Sequence, residues 1–89
     1  MAHFQRNAQT AWRRVDNEML IVGTQGNKLT ILNDTAARVW ELLDGSVSSS
    51  DLAKVLAAEF EVDAAAAEAD VERLLNDLSE RKLVARLDP

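Results

Sequence analysis

The reactive side chains in this 89-residue chain are few, and their spacing assembles no familiar catalytic set. The single histidine, His3, lies in a polar N-terminal stretch, whereas a metal centre needs several His or carboxylate ligands at spaced positions. Ser46, Ser48, Ser49 and Ser50 have no nearby histidine to activate them as nucleophiles. They read instead as a connector, with Ser48 and Asp51 forming a capping box in which Asp replaces Glu. The absence of cysteine excludes thiolate chemistry, disulfides and zinc-thiolate sites. Gly23 and Gly26 are not followed by a Lys-Ser/Thr helix start, so they do not make a phosphate loop. Glu68, Glu72, Asp70 and Asp77 read as a solvated helix face, with a cation site as the alternative. Trp12 beside Arg13 and Arg14 could touch nucleic acid, or the two arginines could line a solvated strand. No catalytic residue, metal ligand or cofactor is expected.

Charge narrows the choice of partner. Residues 1–45 carry five basic and five acidic side chains, while residues 46–89 carry five basic and ten acidic, which accounts for the whole net charge of −5. The second half therefore repels phosphate backbones. No segment approaches the length of a membrane span. The N-terminal residues lack the apolar region of a secretory signal. A cytoplasmic location is the expectation.

The elements that would position a site are short. Met1–Thr10 is polar and without periodicity, and is expected to form a flexible arm (residues 1–10) ahead of a single domain (residues 11–89). Ala11–Val15 is a weak strand candidate. The compact apolar run Met19–Val22 suits a strand covered on both faces. With the Gly23–Asn27 turn it predicts a hairpin to Lys28–Leu32. There Leu29 and Ile31 share one face, and Thr30 and Leu32 the other.

Three helices follow. Asn33 can cap the first, and Ala36, Val39, Trp40 and Leu43 fall on one stripe of it. Gly45 supplies a left-handed stop. The second helix carries Leu52, Val55, Leu56 and Phe60. Asp63 caps the third, whose stripe is Ala67, Val71, Leu74, Leu75 and Leu78. Leu83, Val84 and Leu87 form an apolar tail that packs back. Three strands followed by three helices is an α+β arrangement, a small antiparallel sheet with helices on one face. With no reactive group, such a chain acts by binding, and a sheet edge beside a helix is the surface it offers.

The run Leu32-Asn33-Asp34-Thr35-Ala36-Ala37-Arg38-Val39-Trp40-Glu41-Leu42-Leu43-Asp44-Gly45 resembles the signature of the PqqD-like family, the precursor peptide recognition elements of ribosomally made, modified peptides. The likeness continues through Leu52-Ala53, Phe60-Glu61-Val62 and Asp70-Val71-Glu72-Arg73-Leu74-Leu75 with Leu78, from about Trp12 to Leu87. It implies a winged helix-turn-helix-like fold and a non-catalytic role. The leader segment of a precursor peptide would add as a strand to Lys28, Leu29, Thr30, Ile31 and Leu32. Groove walls would come from Val71, Leu74, Leu75 and Leu78, each of which core packing would equally explain. Arg81 and Lys82 could meet acidic leader residues or complement the helix dipole. The implied partner is a modifying enzyme, often a radical SAM protein, as in PQQ assembly and related pathways. At one place the chain departs from the family pattern. Lys82 stands where a Gly often ends the third helix, so the helix is expected to run on or end by another route.

Two other function classes fit the elements. A winged-helix DNA-binding regulator shares them, but its recognition helix would bring Glu68, Asp70, Glu72, Asp77 and Glu80 toward phosphates. A scaffold or dimerisation domain is the other. A monomer or a weak, element-swapped homodimer is compatible with so thin a core.

Overall fold

The computed structural model describes residues 3–23 and 28–87. In chain order the elements are β1 (His3–Arg6), β2 (Ala11–Val15), β3 (Glu18–Val22), β4 (Leu29–Leu32), α1 (Asp34–Leu42), β5 (Asp44–Ser48), α2 (Ser49–Phe60), α3 (Ala64–Glu80) and β6 (Val84–Leu87). The fold is mixed α+β and winged helix-turn-helix-like. It has two antiparallel three-stranded sheets, ordered β2-β3-β4 and β5-β1-β6. The expected hairpin is present as the β3–β4 pairing, from Met19 opposite Leu32 to Val22 opposite Leu29. Beyond Gly23 its turn lies outside the described residues.

Each helix starts where a side chain satisfies its free N–H groups. The Ala36 N–H donates to the Asn33 side chain at 2.9 Å. Ser48 and Asp51 close the reciprocal box expected of them. The Ala66 N–H donates to Asp63 at 3.4 Å. From these starts the apolar stripes meet in one core. Trp40, Val39, Leu43, Leu52, Leu56, Val71, Leu75 and Leu78 are buried in it with Met19 and Ile21 of the sheet.

Residues 3–6 are not a loose arm. Phe4 is buried in the core, and β1 is the central strand of the second sheet, paired with both β5 and β6. The Arg6 guanidinium donates to the Trp40 and Glu41 carbonyls at 2.8 and 2.9 Å, satisfying the end of α1. It also sits 5.0 Å from the Trp12 ring centre, which in turn meets Trp40 edge-on at 6.2 Å. The serine connector also differs from expectation: its first residues, through Ser48, belong to β5. The tail packs back as expected, in the form of β6. Gly45 does take a positive φ of 93°, but within β5 rather than as the helix stop. A Cβ there would meet Leu87 Cδ1 at 3.3 Å, so both conformation and space favour glycine.

The α3 terminus settles the Lys82 question. The helix does not run on. It closes through Leu83 N–H to Leu78 C=O at 2.9 Å and Lys82 N–H to Ser79 C=O at 3.0 Å, a Schellman pattern. Lys82 occupies the left-handed position, with φ 61°.

Arg14 bridges from β2 to Asp34 (2.6 Å) and Glu41 (3.3 Å) of α1, and Arg38 bridges α1 to Glu59 of α2 at 2.9 Å. The hydrogen bond from Arg38 holds the Glu59 carboxyl below its ordinary value. These partly exposed pairs are screened by solvent and add little to stability. They orient α1 and commit Arg14 to carboxylates rather than to phosphates.

Candidate functional site

Alternation along the wing sheet, β2-β3-β4, sorts its side chains onto two faces. Trp12, Arg14, Met19, Ile21, Thr30 and Leu32 point toward the helices; Arg13, Val15, Leu20, Val22, Leu29 and Ile31 point away. Met19 and Ile21 are fully buried, but Val22 is 39% exposed, Leu29 55% and Ile31 54%. The Met19–Val22 run is therefore covered on one face, not both. Its apolar outer positions misled the sequence pattern.

Strand β4 pairs only with β3, so its other flank is an open edge among the described residues. That flank does not face bulk solvent alone. Near it lie two pockets lined on one side by α3, the two halves of a candidate groove. One half of the groove, about 610 Å³, lies where β4 gives way to α1, between Asn33, Ala36 and Val39 on one side and Asp70, Leu74 and Asp77 on the other. The other half, about 460 Å³, lies between Lys28 and Thr30 on one side and Glu80, Arg81 and Lys82 on the other. Both volumes are in the range of pockets that take small ligands or several side chains. The opposite edge strand, β2, borders a cavity of about 260 Å³ that includes Arg6, Asn7 and Trp12.

The expected site residues divide on this geometry. Lys28 and Thr30 line the groove, while Leu29 and Ile31 line neither pocket and turn their side chains outward. Leu32 is buried in the core and lines neither pocket. Val71 and Leu74 line the groove, and Arg81 stands at its far end. Leu75 and Leu78 are buried in the core; Leu75 also meets a small cavity on the β1 side with Phe4. The groove adds residues that the apolar stripe did not single out: Asp70, Arg73, Asp77 and Lys82 on the α3 side, and Asn33, Thr35 and Ala36 at the start of α1. Positions 70, 74, 77 and 81 form a second stripe at helical spacing beside the core stripe. It becomes visible only once β4 is known to run alongside.

No group of three or more His, Asp or Glu able to hold a metal occurs among the described residues. No helix there is long and apolar enough to cross a membrane. The groove offers backbone donors and acceptors, an apolar floor and charged walls, which are the means of binding an extended chain.

Fold and groove together define the class: a winged helix-turn-helix-like domain whose wing sheet ends in an unpaired strand. Sequence comparison gives the family. The model of coenzyme PQQ synthesis protein D (PqqD) matches residues 18–84, and the chain belongs to that family. Three solved structures share the fold. A lasso peptide synthetase B1 complexed with the leader peptide is 28% identical, with a TM-score of 0.81 over 93% of this chain and 98% of that one. TbiB1 in complex with the TbiA(beta) leader peptide is 21% identical, with a TM-score of 0.81 over 90% of this chain and 93% of that one. The PqqD truncation of Methylobacterium extorquens PqqCD, described as a functional and stand-alone recognition element, is 23% identical, with a TM-score of 0.76 over 92% and 87%. Comparison with curated protein sequences finds no match.

Proposed function

We propose that this domain binds the leader segment of a ribosomally made precursor peptide and presents it to a modifying enzyme, without catalysing a reaction itself. The leader adds as a strand to the open flank of β4 and lays alternate side chains into the groove against α3. One observation carries this reading: β4 has no second strand partner among the described residues, and pockets lined by α3 lie near it. Family membership and the 28% identical leader-bound relative support it. The enzyme partner fits a radical SAM protein or another leader-dependent modifier, in the cytoplasm where precursors are made. The acidic α3 and the engagement of Arg14 by Asp34 and Glu41 speak against a DNA-binding regulator.

Fluorescence polarisation tests the proposal. The probe is a fluorescein-labelled synthetic leader from the precursor reading frame beside the gene. Saturable binding in the low-micromolar range or tighter is expected, with none to a random DNA duplex. Absence of saturable binding, or a stronger response to the duplex, would contradict it.

A further inference from the structure

We infer that the outer face of the β2-β3-β4 sheet is a self-association surface, on which a second copy of this chain packs face to face in a weak two-fold dimer. The inference does not rest on leader binding, because this face is neither the open flank of β4 nor the α3 side.

An antiparallel sheet with one face in solvent ordinarily alternates apolar-in with polar-out. The wing sheet does not. Its registers set Ala11, Val15, Leu20, Val22, Leu29 and Ile31 side by side on the face turned away from the helices. Val15 is 41% exposed, and Val22, Leu29 and Ile31 are exposed as well. The exposed apolar side chains amount to roughly 400 Å², a size at which surface patches mark interaction sites.

Charge selects the occupant. Two charged residues lie on this face, Arg13 on β2 and Glu18 on β3. They are opposite in sign, and neither makes an ion pair among the described residues. A face built for a strongly acidic or basic partner carries one sign. A face with an apolar centre and one charge of each sign is complementary to itself: under a two-fold axis, Arg13 of each copy can meet Glu18 of the other. The helical side discourages self-contact. The net charge is −5, and two copies meeting through α3 would bring Glu68, Asp70 and Glu72 toward their counterparts. The outer wing face carries no net charge, so repulsion is least there.

Size sets the strength. With its rim included, such a dimer buries about 1,000 Å² in total, at the low end of specific interfaces. The expected dissociation constant is on the order of 100 µM.

Sedimentation velocity of the full chain from about 10 µM to about 1 mM, with methyl-detected NMR over the same dilution series, tests the inference. A monomer–dimer equilibrium is expected, with shifts at Leu20 and Val22 as well as at Leu29 and Ile31. Ile31→Lys, at a position 54% exposed, is expected to keep a near-normal melt and weaken the dimer at least about tenfold, since it buries a charge in the contact. Arg13→Glu is expected to weaken it about fivefold, and Arg13→Glu combined with Glu18→Arg to restore it. The charge exchange decides the matter even where Ile31→Lys fails to fold. A chain that stays monomeric at about 1 mM would overturn the inference and leave the face to a different protein. So would a dimer indifferent to a folded Ile31→Lys, or one that the double exchange does not restore. Methyl shifts confined to β4, with Leu20 and Val22 unmoved, would mean edge-to-edge pairing of two β4 strands and would overturn it as well.

Discussion

Phe4→Ala is expected to destabilise the domain by about 3 kcal/mol, which in a chain of this size lowers the melting temperature by roughly 15 °C. Phe4 is 8% exposed and belongs to the single core cluster. It projects from β1, which holds β5 and β6 together, so removing the aromatic ring leaves a void where the second sheet meets the core. Glu59→Gln, on an exposed pair between helices, serves as the control and should move the melt little. Thermal unfolding by circular dichroism decides the matter. A Phe4→Ala melt indistinguishable from wild type would mean that residues 3–6 do not dock.

Proline placed in β4 should give the other large effect, and it should split by position. N–H groups along a strand alternate between its two flanks, so Thr30 and Ile31 present theirs to opposite sides. One of Thr30→Pro and Ile31→Pro removes a bond to β3 and melts early. The other removes a donor from the open flank and places its ring there. That second variant should fold with a near-normal melt and bind a labelled leader peptide at least about tenfold more weakly, as expected for an unmade hydrogen bond plus a clash. If the variant that folds normally also binds normally, β4 is not the docking strand. Polarisation titrations on both variants, with melts alongside, give the answer.

The parts of this fold that sequence made legible are those fixed by short-range chemistry. Asn33, Ser48 and Asp63 were readable as caps because each acts on an N–H two or three residues ahead. The stripes of α1 and α3 were readable because helical periodicity repeats several times. β1 was not, since His3–Arg6 is short, half polar and becomes a strand only by pairing with residues 44–48 and 84–87, far along the chain. β5 was hidden for the same reason, with Gly45 and three serines in or beside it. The groove was half legible. Its strand wall followed from the hairpin, but the charged stripe of Asp70, Asp77 and Arg81 looked like an ordinary solvated face until β4 was placed beside it. Lys82 showed where propensity loses to tertiary constraint. The Schellman bonds and the Asn7 side chain, which donates to the Lys82 carbonyl at 3.1 Å, together hold a lysine in a conformation it disfavours.

The most direct test of strand addition is a two-dimensional NMR titration of the isotope-labelled chain with an unlabelled synthetic leader peptide, followed by isotope-filtered NOE spectra. The account predicts that the amides of Leu29–Leu32 shift together with those of Asp70, Leu74, Asp77 and Arg81, and that cross-strand NOEs connect the peptide backbone to β4. Shifts confined to β2 around Arg13 and Arg14, with β4 unmoved and no peptide NOE to it, would contradict the account.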